Sequence, residues 1–125
     1  MSVVQTVPHV FVDSAGESHC GSMDLTLHLR DLAPPADAFF MSDPMPAKRC
    51  LLFHLPAQWR GQQHVAPCRQ LFVCLAGEVR FVASDGGECH IKAGGSVMVS
   101  DTTGKGHFSE VVSEGPASGV IVQFE

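Results

Sequence analysis

Hydrophobic and polar positions alternate along much of the chain in short runs. In "SMDLTLHLR", residues 22–30, Met23, Leu25, Leu27 and Leu29 fall on one side, and Asp24, Thr26, His28 and Arg30 on the other. That period of two predicts a strand buried on one face. "RCLLFHL" at 49–55 is a nearly continuous apolar strand that ends at Pro56. "QLFVCLAG" and "EVRFVAS" are two more strands, meeting near Gly77. "DGG" at 85–87 marks a hairpin turn, because glycine supplies the positive φ such turns need. "ECHI" is a short strand and "KAGG" a second turn. "SVMVS", "HFSEVV" and "GVIVQF" complete the series. The segment "DLAPPADAFFMSDPMPA" carries Pro34, Pro35, Pro44 and Pro46. Proline cannot donate to a ladder, so this reads as a connecting loop with room for one short helical turn. The pattern predicts about eight to ten strands and no long helix, hence an all-β sandwich or barrel. A jelly roll pairs such strands with few exposed edges. Periodicity does not separate it from an immunoglobulin-like sandwich.

Composition narrows this picture. A chain of 125 residues makes one domain with a real core. Hydrophobic residues at 45% and charged residues at 17% fit a folded protein rather than a disordered one. We divide residues 1–125 into N-terminal strands (1–30), a proline-rich loop (31–47) and a core (48–125). The first residues show no basic segment followed by an apolar one, and no apolar run nears the roughly 20 residues of a membrane span. A cytoplasmic location with no membrane partner is the expectation. The net charge is −5 and the eight Lys and Arg residues are scattered. Tracking a phosphate backbone needs concentrated positive charge, so nucleic acid is not an expected partner. The five cysteines form no C-x-x-C pair. Cys50, Cys74 and Cys89 sit in apolar runs, as reduced, buried cysteines do.

Two blocks carry candidate chemistry: "HVAPCRQLFVCLAGEV" from His64 and "AGGSVMVSDTTGKGHFSEV" ending beyond His107. Together they resemble the two motifs of the cupin superfamily. The first motif of that superfamily runs H-x-H, three or four residues, E, six residues, G. Setting Gly77 on its glycine places Gln70 at the glutamate, His64 at the first histidine and Ala66 at the second. In the second block Ala93 and Gly94 stand at the turn and His107 at the histidine. The strings "H-x-A-P-x-R-Q" and "DTTGKGH", with Trp59 before them, resemble one subgroup of small single-domain cupins without a well-defined activity. The resemblance implies a cupin-type jelly-roll β-barrel. It leaves function open, since cupins include dioxygenases, isomerases, decarboxylases, lyases, storage proteins and sugar-binding regulators. It also implies a homodimer, for which "VPHVFV" at 7–12 is a candidate exchanged strand.

In metal-binding cupins the motifs supply three histidines and a glutamate, a set suited to iron, manganese, zinc, nickel or copper. Here Ala66 cannot ligate, and Gln70 offers an amide oxygen without charge. His64, His107 and Gln70 are therefore the candidate metal ligands. His54, near the end of an apolar strand, is the alternative third ligand if its strand turns it inward, and otherwise a wall histidine. Trp59 and His54 are candidate pocket residues. Arg69 neighbours Gln70, and side chains alternate along a strand, so it is expected to face away from the pocket. Cys68 beside Arg69 is expected to be inert rather than nucleophilic. His9, His19, His28 and His90 lack metal-ligand spacing. Asp101, Thr102 and Thr103 can bond nearby backbone groups, and Lys105 is expected in solvent. "GKG" is not a phosphate loop, because no Ser or Thr follows the lysine and no helix opens there.

Three functions follow. One is a divalent-metal enzyme acting on an oxygen-bearing small molecule. Another is a metal-free enzyme using His64 or His107 as general base. The third is a ligand-binding module without catalysis.

Overall fold

The computed structural model describes residues 1–124. Its strands are β1 (Ser2–Val12), β2 (Ser18–Arg30), β3 (Phe39–Met41), β4 (Arg49–Leu55), β5 (Arg60–His64) and β6 (Gln70–Ala76). They continue as β7 (Glu78–Ala83), β8 (Glu88–Lys92), β9 (Ser96–Val99), β10 (His107–Val111) and β11 (Ala117–Gln123). Seven form one sheet in the order β3-β2-β1-β9-β6-β11-β4, and four form a second in the order β5-β10-β7-β8. The protein is thus all-β in two sheets, and the described residues do not close into a barrel. The described residues include no helix long and apolar enough to cross a membrane.

Strand alternation builds the layer between the sheets. Val79, Phe81 and Ala83 turn inward along β7, and Cys89 and Ile91 along β8. Val79, Phe81, Cys89 and Ile91 meet Val10, Phe72, Cys74, Val97 and Val99 from the larger sheet. Each large side chain removed from water in this way contributes about 1.5–3 kcal/mol before its ordering cost.

The "DGG" turn closes the β7–β8 hairpin, with Ala83 N–H bonded to the Gly87 carbonyl at 2.8 Å. The proline-rich segment holds β3, which pairs with the end of β2, in place of the helical turn. β5, "RGQQH", has no apolar alternation for a sequence pattern to detect. It is the edge of the smaller sheet, bonded on one side to β10. β4 is likewise an edge strand of the larger sheet. Phe53 and Leu55 are partly buried, whereas Cys50, Leu52 and His54 alternate outward. Cys50 is therefore exposed, contrary to the burial its apolar run implied, while Cys74 and Cys89 are buried. Val7–Val12 pairs with β2, and its His9 and Val10 pair with β9 as well.

Candidate functional site

One end of the intersheet space opens into a cavity of about 230 Å³. Its apolar wall comes from both sheets: Phe53 and Leu55 of β4, Phe72 of β6, Ile121 of β11, and Val79 and Phe81 of β7. Trp59, His64, Gln70, His107 and Ser109 supply the polar or amphipathic part of the lining. Four of the five candidates from the sequence are thus brought together. His54 is not. On β4 it alternates with Phe53 and Leu55, so the neighbours that line the cavity commit it to the outer face, where it is exposed. It is neither a pocket residue nor a third ligand.

Register positions the two histidines. His107 of β10 and His64 of β5 are Cα partners in an antiparallel pair, so their side chains project to the same face. Their ring centroids are 5.0 Å apart. His107 is 3% exposed and His64 sits at the open mouth. Gly106 makes this approach possible. A Cβ there would fall 2.2 Å from the His64 carbonyl oxygen, and its φ of +75° suits glycine. Trp59 is aimed by the turn before β5, where its N–H bonds the Pro56 carbonyl at 3.0 Å. Its ring lies over Gly61, where a Cβ would come within 2.7 Å of it.

Hydrogen bonds fix how each polar group is presented. His107 Nδ1 lies 2.6 Å from Asp101 Oδ2. A carboxylate accepts, so Nδ1 carries the proton and Nε2 keeps its lone pair. His64 Nδ1 lies 2.6 Å from the Gln62 carbonyl, which fixes the same tautomer. Asp101 is fully buried, and its Oδ1 has no partner among the described residues. An unsatisfied buried oxygen costs about 1–3 kcal/mol, a cost that functional sites carry more often than structural ones. The sequence reading assigned Asp101 only to loop bonding. The signal it had was an aspartate six residues before the motif histidine.

Gln70 belongs to a directed relay. The Arg49 guanidinium, a donor only, bonds Gln123 Oε1. Gln123 Nε2 then donates to Gln70 Oε1 at 2.9 Å. The amide oxygen of Gln70 is engaged, and its N–H groups have no partner among the described residues. The donor set therefore fits a firmly held metal poorly. Two imidazoles have the carboxylate and carbonyl partners that orient metal-ligating histidines. The third position offers an uncharged amide oxygen that also accepts a hydrogen bond from Gln123, where a catalytic zinc needs three firm protein ligands. No group of three or more His, Cys, Asp or Glu among the described residues could hold a metal ion.

The remaining candidates lie outside the pocket. The Arg69 guanidinium stacks over the Phe124 ring at 4.7 Å. Burial first, and then the Arg69 charge, push the His9 pKa down. Cys68 is half-buried and not part of the lining. Lys105 is mostly exposed and pairs with Glu17 at 3.3 Å. A larger groove of about 370 Å³ runs between Gln5–Pro8 and the β8–β9 turn. It is more open, and both ring nitrogens of its histidine, His90, are taken by Glu78 and Glu88. The chemistry favours the smaller cavity.

No family model matches the chain, and no curated protein matches it.

Proposed function

We propose that the chain is a cupin-type jelly-roll protein whose pocket binds a small uncharged molecule and whose His107 acts on it as a general base without metal. Support for the fold reading is the two-sheet architecture with both motif histidines on one wall. The observation that carries the function is the buried Asp101–His107 pair, with Nε2 of His107 left as a lone pair at the cavity. Asp101 holds the ring in the tautomer that can accept a proton, and stabilises the imidazolium that results.

The lining defines the ligand's chemistry. Among the described residues no Lys or Arg lines the cavity, so neither a carboxylate nor a phosphate finds a fixed counter-charge there. His64 and His107 accept hydrogen bonds and Gln70 donates them. A compact hydroxy-carbonyl compound satisfies both, with its apolar part against Phe72, Phe81 and Trp59. At about 230 Å³ the cavity takes a ligand below drug size.

Trp59 is the only tryptophan in the sequence, so its fluorescence reports pocket occupancy directly. The test is a fluorescence titration with small neutral hydroxy-carbonyl compounds. NMR of each bound compound in deuterated solvent then reads exchange at the carbon beside the carbonyl. The expected result is saturable binding, with exchange that His107→Ala abolishes. Binding without exchange would reduce the protein to a binding module. Near-stoichiometric metal in untagged protein, lost in His64→Ala/His107→Ala, would replace this reading with the divalent-metal enzyme.

A further inference from the structure

The first residue of β2, Ser18, is a polar residue with no access to water, and it lies outside the cavity lining. A buried hydroxyl must place its one hydrogen, and here the neighbours decide where it goes. The Gly106 carbonyl oxygen lies 2.6 Å from Ser18 Oγ and can only accept. The Ser84 N–H, 2.7 Å away, can only donate. The Ser84 hydroxyl, at 3.2 Å, gives its own hydrogen to the Glu17 carboxylate. The bonds therefore run one way, from Ser84 N–H to Ser18 Oγ and from Ser18 O–H to the Gly106 carbonyl.

Gly106 is the residue before His107. A peptide unit is planar, so the direction of the Gly106 carbonyl fixes the plane that holds the His107 nitrogen, and with it the direction in which β10 starts. The two halves of the Asp101–His107 pair are anchored to different elements. The Asp101 carbonyl accepts the Ala66 N–H at 3.0 Å, which ties the aspartate to the segment between β5 and β6. His107 is tied to β2 through Gly106 and Ser18. The 2.6 Å contact between ring and carboxylate depends on both anchors keeping their places.

We infer that Ser18 is a positioning residue for His107. Its hydroxyl holds the Gly106–His107 peptide so that the ring meets Asp101 and turns its other nitrogen to the cavity. The role rests on the proposed reading of His107 as the working group of the pocket. Ser84 supplies the comparison. Its side chain bonds Ser18 N–H at 2.8 Å and Glu17, while the bond it gives to Ser18 Oγ comes from its backbone. Removing the Ser84 hydroxyl thus loosens the same cluster and keeps the bond to Gly106.

The test is long-range proton–nitrogen correlation NMR on isotope-labelled protein, which reads the nitrogen that carries the proton in each histidine. Wild type should show His107 in one tautomer, protonated at Nδ1, with that proton protected from water. In Ser18→Ala the His107 Nδ1 proton should exchange about tenfold faster or more, and the ring should populate both tautomers. Ser84→Ala should keep the wild-type His107 signals. Ser18→Cys retains a weaker donor, so it should move the signals the same way by less, and it takes over the comparison if Ser18→Ala does not fold. Unchanged His107 signals in the Ser18 variants would overturn the inference. So would a change in Ser84→Ala as large as theirs. The ring is read here and not turnover, so a failure of the proposed base chemistry shows separately, in the exchange assay at the ligand carbon.

Discussion

Among the described residues three histidines are held by carboxylates, and two of them, His107 and His19, are held to opposite ends. His107 is almost fully buried, uses one nitrogen on Asp101 and keeps the other for the cavity. His19 is about a third exposed, and both its nitrogens are used, on Asp13 and Asp85 at 2.7 Å. The hydrogen bonds to Asp13 and Asp85 push the His19 pKa up. Asp13 is lowered chiefly by its bond to His19, and Asp85 chiefly by the Gly87 N–H. Saturating both nitrogens makes a fastening between strands, and engaging only one leaves a ring nitrogen facing the cavity.

The contrast can be broken in order of effect. Gly106→Ala should cost about 2 kcal/mol or more, measured by urea unfolding, because a methyl there meets the His64 backbone at positive φ. Asp101→Ala strands the His107 Nδ1–H in the interior and should cost about 1–3 kcal/mol in the same assay. His107→Gln should weaken ligand binding about tenfold in the Trp59 titration, roughly 1.4 kcal/mol, while His19→Gln should leave it unchanged.

The surface clamp is tested by pH. A histidine whose pKa is raised on folding stabilises fully below its unfolded value of about 6.5, and loses that contribution as pH rises through the folded value. The lowered aspartates contribute above about 3.8 and lose their share as pH falls through their folded values. The melting-temperature gap between wild type and His19→Gln should therefore be largest near about pH 5–6 and shrink above about pH 7. A gap that grows with pH would sink this account. His90, clamped by Glu78 and Glu88 but 47% exposed, should follow the same direction with a smaller gap, because water and salt screen it.

Much of the fold was legible because its strands obey one rule. The alternation in residues 22–30 became β2, and "DGG" became a hairpin turn. β5 and β3 were not legible, since a polar edge strand and a three-residue strand carry no periodic signal. An apolar run such as β4 announces a strand but not its place in the sheet. Burial of Cys50 and His54 depended on that place. At the site, His64 and His107 stood out through their motif positions. Asp101 and the Arg49–Gln123–Gln70 relay did not, because each joins residues whose meeting depends on the finished fold.

That relay has a consequence at a distance. A guanidinium can only give hydrogen bonds, so each amide after it can point only one way. The way the Gln70 amide is turned toward the cavity is thus set by Arg49, a residue on an edge strand that does not line it. Arg49→Met would release both amides to turn over, and the pocket would then greet amines as readily as ketones.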